Sequence, residues 1–226
     1  MSALVAQTAA VAGKDLRIEL RDRNAVNTLA PFAGTLLILF GLAFGPGRDA
    51  LRASAPAVLW LAVLFAGVLA LRSSLEIETK DGALEGLVLS PVDPLAVYLG
   101  KTIAVSIELF ALELVTLIGS WFLFDLSPPV DGIALLAAFL VGTVGFVAIG
   151  LVFAVLAARS RAREALFPVL LLPASIPVLL GGMRSTQLAV LGSGAEARSW
   201  LALLAAFAAV ALASGCIVFE HVLEDA

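Results

Sequence analysis

This chain of 226 residues is 61% hydrophobic and only 14% charged, too poor in polar side chains to cover itself in water. Its net charge is −4, and it has no basic stripe with interleaved aromatic residues, which argues against nucleic acid as a partner. The single cysteine, Cys216, excludes an intramolecular disulfide and a cysteine-based zinc cluster, and we expect no metal site. Long apolar blocks between short charged clusters predict an all-α polytopic membrane protein.

Six apolar blocks succeed one another along the chain, and each is predicted to be a helix of one membrane domain over residues 1–226. They are Leu29 to Phe44, Pro56 to Leu71, Val97 to Phe124, Ile133 to Ala158, Leu166 to Leu180, and Ser199 to Val222. Because a spanning helix needs roughly 20 residues, the first, second and fifth blocks must borrow flanking residues or tilt little.

The segment Gly13 to Asn27 precedes the first block. Leu16 and Leu20 lie one helical turn apart among basic residues, with Asp15 near the start. This pattern predicts an amphipathic helix lying in the cytoplasmic interface. A plain charged topology anchor is the compatible alternative.

Basic residues predict the orientation of the spans. Six spans place both termini on one side, and that side holds ten of the 14 Lys and Arg residues. Because cytoplasmic loops are rich in Lys and Arg, both termini are expected in the cytoplasm. Trp60, Trp121 and Trp200 would then lie near the outer ends of their helices, at the interface that Trp prefers. The outer connections would be short, apart from Gly182 to Arg198.

The connection Glu76 to Lys101, between the second and third blocks, is long and charged. Asp81 can cap a helix that starts beside Gly82, and Glu85 then lies in the first turn, where the helix dipole favours a carboxylate. Pro91 ends that helix. The sequence therefore predicts a short cytoplasmic helix in this loop.

One face of the predicted loop helix is apolar, because Leu84, Leu87 and Val88 fall on the same side. A short helix with an apolar face and an acidic flank suits a groove on a partner protein. The alternative is that it packs against its own bundle or the lipid headgroups.

Two acidic residues, Glu108 and Glu113, fall inside the third block, where an ionised carboxylate is costly unless it is paired or hydrated. They are five residues apart and are expected to point in different directions. They form a possible intramembrane polar site on a translocation or proton route. We favour the alternative, in which they are protonated hydrogen-bond partners that hold helices or protomers together.

Prolines mark the fifth block at Pro168, Pro173 and Pro177. Each removes a backbone donor, so neighbouring groups or water must satisfy the carbonyls left free. A discontinuous helix of this kind can line a transport path, and a kink without a transport role is equally compatible with the pattern.

Four parts of the chain together resemble a known family. The loop between the second and third blocks resembles the intracellular loop of ABC-2 exporter permeases, and closely that of the CcmB family of haem-exporter permeases. The likeness is carried by Glu78, Asp81-Gly82, Leu84-Glu85, Leu87, Pro91 and Gly100-Lys101. The segment KDLRIELRDR resembles that family's N-terminal elbow helix, and LLLPASIPVLL resembles its proline-marked helix. FEHVLED resembles the ending of some members.

The resemblance implies a permease subunit of the bacterial cytoplasmic (inner) membrane that pairs with a separate ABC ATPase like CcmA. It also implies a haem-handling membrane subunit like CcmC, with the loop helix as the coupling helix, and we expect a homodimer of the permease. The chain itself is not expected to be an enzyme. Gly100-Lys101-Thr102 is the only fragment of a nucleotide-binding loop, and Leu95 stands where its first glycine is needed.

Haem iron is usually held by His, Cys, Met or Tyr, and the predicted spans contain no histidine except His221 at the end of the last one. We therefore expect no cofactor on this chain, with haem handled by the complex. Two other functions fit the sequence. One is an ABC-2 exporter for a lipid, drug or glycan, and the other is an ion-coupled secondary transporter that uses Glu108 and Glu113.

Overall fold

A computed structural model describes the chain except at residues 1, 46, 81–91, 127, 159–162, 193 and 225–226. At residues 2, 48, 75–80, 158, 163–164, 194–195 and 221–224 it describes the backbone alone. The described part of the chain is built from helices and contains no strand. The elements in chain order are α1 Ser2–Asp22, a π-helical turn Ala25–Leu29, α2 Ala30–Phe44, α3 Arg48–Lys80, α4 Pro94–Phe124, α5 Gly132–Ala158, α6 Arg163–Ala174, α7 Ile176–Leu191 and α8 Gly194–Glu224.

The helices divide into membrane spans as the apolar blocks predict. Five stretches of the described residues are long and apolar enough to cross a membrane, and a bent pair, α6 with α7, makes up to a sixth. The five are Ala25–Phe44, Asp49–Ser74, Pro94–Phe124, Gly132–Ala157 and Glu196–Glu220. The predicted fold class is confirmed, and the chain is an all-α polytopic membrane protein.

Helix α5 lies at the centre of the bundle, where it packs against α3, α4, α7 and α8. Lipid does not drive apolar helices together as water does, so small residues that allow close approach determine the packing. A methyl group added at Gly142 would lie 2.6 Å from the Trp60 ring, and one at Gly150 would overlap the side chain of Leu71. Large side chains of α3 therefore occupy the space that these α5 glycines leave open.

Helix α1 is longer than the predicted interfacial helix and is attached to the bundle along its length. It starts at Ser2 rather than at Gly13 and packs beside α4, running in the same direction. The side chain of Gln7 accepts a hydrogen bond from the backbone N–H of Asp93 (3.3 Å), and Val11 fills the space above Gly100. The early alanines therefore form a helix because α4 supports one of its faces.

The connection expected at Gly182 to Arg198 is much shorter in the structure, because α7 continues to Leu191. Gly181 and Gly182 suggest a loop from sequence, but they are buried here against Leu204 and Trp60. Tertiary packing overrides the weak helix propensity of glycine. The prediction of a long outer loop is therefore wrong.

The expected position of Trp60 at the membrane interface is also wrong. Its side chain is 2% exposed in the middle of α3, where its indole N–H donates to the hydroxyl of Thr186 on α7 (3.0 Å). A buried Trp needs such an acceptor, and α7 supplies it. Trp60 is therefore a residue of the bundle core, whereas Trp121 is 40% exposed.

Candidate functional site

Glu113 lies in the middle of the bundle on α4 and is completely buried. The hydroxyl of Thr143 on α5 donates a hydrogen bond to its Oε1 atom at 2.6 Å. Its Oε2 atom is buried and has no hydrogen-bond partner among the described residues. Glu113 thus links α4 to α5 through one oxygen of its carboxyl group, and the other oxygen is buried inside the bundle.

A small cavity lies beyond Thr143, on the side of α3 and α7. Trp60 and Phe146 form part of its wall, and Ser175 contributes from the bend between α6 and α7. The remaining lining residues are Val63, Leu64, Val178 and Leu179. Because Thr143 and Ser175 both line this cavity, the Glu113–Thr143 hydrogen bond lies close to the broken span. We refer to it as the central cavity.

The proline-marked span is broken where the sequence places its prolines. Helices α6 and α7 meet at 48° at Ser175, between Pro173 and Pro177. Ser175 is fully buried, and both its hydroxyl (2.7 Å) and its backbone N–H (2.9 Å) donate to the carbonyl of Leu171. Pro168 lies inside α6, about two turns before the bend at Ser175. The bend is thus stabilised from within the span.

Glu108 faces away from Glu113, as expected from their spacing, since five residues correspond to about 140° around a helix. It lines a cleft between α1, α3 and α4 together with Glu19 of α1. Its carboxyl group faces Glu19 and Asn24, and its Oε1 atom is buried without a hydrogen-bond partner among the described residues. The two intramembrane carboxylates therefore belong to different sites, and the central cavity is not lined by Glu108.

The same cleft contains an ion pair that the sequence reasoning missed. Lys101 is 3% exposed, and its ammonium group lies 3.1 Å from Asp15 of α1. Asp15 also pairs with Lys14 at 3.1 Å. The sequence pattern indicates a cytoplasmic loop charge at Lys101, and the fragment Gly100-Lys101-Thr102 resembles only part of a phosphate-binding loop. A lysine inside an apolar helix and an aspartate on an amphipathic one are the only local signals of this pair.

A buried tyrosine on α4 was missed as well. The hydroxyl of Tyr98 lies 3.3 Å from the carbonyl oxygens of both Ala148 on α5 and Ala211 on α8. Gly215 leaves room for its ring. Tyr98 therefore joins three helices at the level of the Lys101 ion pair.

The predicted coupling loop lies almost entirely outside the described residues. Asp81, Gly82, Leu84, Glu85, Leu87 and Pro91 all fall in the range 81–91, and Glu78 is described by its backbone alone, in the last turns of α3. The description resumes at the start of α4. There Asp93 caps the helix by accepting a hydrogen bond from the backbone N–H of Leu95 (2.9 Å), with Pro94 in the first turn.

The fold and the buried polar residues define a class, a multi-pass helical membrane protein with a small, mostly apolar cavity beside a broken span. Within the described part of the chain, no group of His, Cys, Asp and Glu is arranged to hold a metal ion. The family model described as "CcmB protein" matches residues 6–225. The chain belongs to the CcmB family.

Curated relatives agree with this assignment. The heme exporter protein B of Pseudomonas aeruginosa is 33% identical over 190 residues, which cover 83% of this chain and 84% of that protein. The heme exporter protein B of Bradyrhizobium diazoefficiens is 29% identical over 181 residues, covering 79% and 80%. That of Escherichia coli K12 is 33% identical over 90 residues, covering 40% and 41%.

Proposed function

We propose that this chain is the permease subunit of a haem exporter that serves cytochrome c biogenesis and is driven by a separate ABC ATPase. The observation that carries the proposal is the match to CcmB over residues 6–225, together with relatives named heme exporter protein B over most of their length. The chain is then a transport subunit and not an enzyme. It acts through contacts and movements of its helices.

The position of α4 supports a mechanical link between the ATPase and the bundle. In this proposal the ATPase binds the loop helix at Leu84 and Leu87, and α4 begins at Pro94, directly after that loop. Helix α1 is attached to α4 through the buried pair of Asp15 and Lys101. A displacement of the loop therefore moves α4 and α1 together as one unit.

At the central cavity, a displacement of α4 can be transmitted to the broken span inside the membrane. Glu113 on α4 is bonded to Thr143 on α5, and Thr143 lines the central cavity next to Ser175 at the bend. A span that already bends by 48° can change its angle at low cost, because Pro173 and Pro177 have removed two backbone donors there. We propose that α4 acts on the broken span through Thr143.

Haem iron is then held by another subunit. None of the residues that line the central cavity is His, Cys, Met or Tyr, the side chains that usually bind haem iron. The proposed partners are a CcmA-like ATPase, a CcmC-like membrane subunit that ligates the haem, and a second copy of the permease. In this proposal the assembly lies in the bacterial cytoplasmic membrane with both termini in the cytoplasm, an orientation supported by the ten to four asymmetry of basic residues.

Substitutions in the predicted loop helix distinguish a loss of coupling to the ATPase from a failure of the permease to fold. In a strain without its own CcmB protein, Leu84→Ala with Leu87→Ala should leave the permease inserted, release the ATPase from the purified complex, and stop the formation of covalently attached haem in cytochromes c. Truncating a buried interface anchor typically costs more than about 1 kcal/mol. Glu85→Lys should act similarly, because it places a positive charge at the positive end of the helix dipole.

The control is a matched pair of exposed apolar truncations, Leu42→Ala with Leu39→Ala on the lipid-facing side of α2. Normal copurification and cytochrome formation in the loop variants, with failure of variants in residues 159–164, would move the coupling element to the later loop. Loss of the ATPase without any effect on cytochromes c would favour an ABC-2 exporter for a lipid, drug or glycan.

A further inference from the structure

The charged side chains of α1 are sorted by sign around the helix. Asp15 and Glu19 face α4, where they line the cleft with Lys101. Lys14, Arg17 and Arg21 are all exposed. At 100° per residue these three cations fall within an arc of about 60°, and over about 10 Å along the axis. An amphipathic helix normally separates apolar from polar residues, whereas α1 separates anions from cations.

The cations of α1 are not neutralised on their own face. Over residues 3–21 the carboxylates of α1 are Asp15 and Glu19, and both belong to the packed side. Asp22 ends the helix about 100° away from Arg21. Lys14 pairs with Asp15, but within the described part of the chain no ion pair is found for Arg17 or Arg21. The guanidinium groups of Arg17 and Arg21 therefore lie on the exposed side of α1, without an ion-pair partner among the described residues.

Apolar surface adjoins these cations. Leu20 is 77% exposed, one helical turn from Arg17 and next to Arg21 in the sequence. A shallow groove on the same side is lined by Ala9, Ala10, Gly13, Lys14, Arg17 and Ile18. Lipid offers the matching combination, an anionic headgroup above an apolar chain.

The position of α1 places the start of the helix at headgroup depth. Helix α4 has 31 residues, so its length is about 46 Å, whereas the hydrocarbon core of a bilayer is about 30 Å thick. Helix α1 runs beside the first half of α4, as the contacts of Gln7 with Asp93 and of Val11 with Gly100 demonstrate. The start of α1 therefore lies beside the end of α4 that extends beyond the hydrocarbon. Arg17 and Arg21 lie deeper, on either side of Glu19, which faces Glu108, and their long side chains can extend toward the headgroups.

We propose that the exposed face of α1 around Arg17 and Arg21 is a binding site for the headgroup of an anionic phospholipid. The guanidinium groups bind the phosphate, and Leu20 and the groove at Gly13 contact the start of the acyl chains. The cleft on the other side keeps Asp15 and Glu19 out of reach of the lipid. This role does not depend on the transported substrate.

Native mass spectrometry of the purified full chain in mild detergent tests the proposal by titration with phosphatidylglycerol and phosphatidylcholine. Each Lys or Arg near an anionic membrane surface contributes about a 5-fold preference. Arg17→Gln with Arg21→Gln should therefore lower the preference for phosphatidylglycerol by about 25-fold. The matched control, Arg184→Gln with Arg198→Gln, removes the same charge from two exposed arginines elsewhere and should leave the preference unchanged.

Three results would overturn the proposal. The first is an equal preference for phosphatidylglycerol in both double variants when their melting temperatures match that of the parent. The second is displacement of the lipid by millimolar inorganic phosphate, which would mean that a free anion is the ligand. The third is loss of a bound ATPase from the Arg17→Gln, Arg21→Gln variant in nanodiscs of phosphatidylcholine alone, which would assign the face to an acidic protein surface.

Discussion

Single polar contacts largely determine which helices of the bundle pack together, because apolar surfaces in lipid give only a weak preference for one neighbouring helix over another. The hydrogen bond between Glu113 and Thr143 joins α4 to α5, and the one between Trp60 and Thr186 joins α3 to α7. Each contact pairs two residues far apart in sequence. A change of one atom at these positions should therefore be measurable in the stability of the whole bundle.

Thr143→Val should destabilise the protein by about 1 kcal/mol, within the range found for hydrogen bonds between membrane helices. The change keeps the shape of the side chain but removes the donor to Glu113, whose other oxygen already lacks a partner among the described residues. Thr143→Ser keeps the hydroxyl and is the control. Thermal unfolding in detergent compares the two, and equal melting temperatures would mean that the hydrogen bond adds nothing to stability.

Gly182→Ala should destabilise the bundle by about 1–3 kcal/mol, because an added methyl group would overlap the Trp60 ring. Gly41→Ala is the matched control, since no atom lies within 4 Å of the corresponding position. That control should be neutral or slightly stabilising, as alanine favours a helix. Melting temperatures of the two variants check the expectation, which fails if Gly182→Ala is as stable as Gly41→Ala.

At the scale of elements, α1 and α4 form a pair held by charge rather than by apolar contact alone. Lys101 is almost fully buried, and Asp15 is 14% exposed. Removing one partner of a buried ion pair costs more than the intact pair contributes, because the other charge stays buried with fewer favourable contacts. The pair therefore acts as a latch between α1 and the first half of α4.

Asp15→Asn should weaken this latch by about 1.5–3 kcal/mol, the range for a hydrogen bond to a charged group, because it removes the carboxylate 3.1 Å from the buried Lys101 ammonium. Lys101→Met combined with Asp15→Asn should recover part of that loss, because the buried ammonium group is then removed as well. Limited proteolysis at Arg17 and Arg21 reports the release of α1, and a double-mutant cycle on melting temperatures gives the coupling. Equal protease resistance in all variants would contradict the latch.

The helices could be predicted from sequence where the residues that determine them are neighbours along the chain. Long apolar runs predict the spans, and Pro173 and Pro177 mark the place where the fifth span breaks. The long outer loop was predicted wrongly because Gly181 and Gly182 are helical only through contacts with Leu204 and Trp60.

The candidate site was predictable only in part. Two buried carboxylates in one helix stand out in an apolar sequence, so Glu108 and Glu113 could be named in advance. Their partners could not, because Thr143 and Glu19 look like ordinary residues of a membrane helix and an amphipathic helix. The pair of Asp15 and Lys101 is separated by 86 residues, and nothing local indicates which distant charge a given aspartate will meet.

At the scale of the whole molecule, the topology is the assumption on which the coupling proposal depends. Reporter fusions at the two ends should place both termini in the cytoplasm, because ten of the 14 basic residues lie on that side. A reporter at residue 127, between α4 and α5, should be outside. Finding either terminus outside would remove the loop at 81–91 from the reach of an ATPase.

The attachment of α1 to α4 also fixes an order of events during synthesis. Asp15 leaves the ribosome 86 residues before Lys101, and at 5–20 residues per second the interval is about 4–17 s. Throughout that interval the acidic side of α1 has no partner on α4, while the basic side with Arg17 and Arg21 is already complete. The nascent helix therefore contacts the membrane surface through its basic side first. Once α4 has been synthesised, Lys101 pairs with Asp15 on the opposite side of α1.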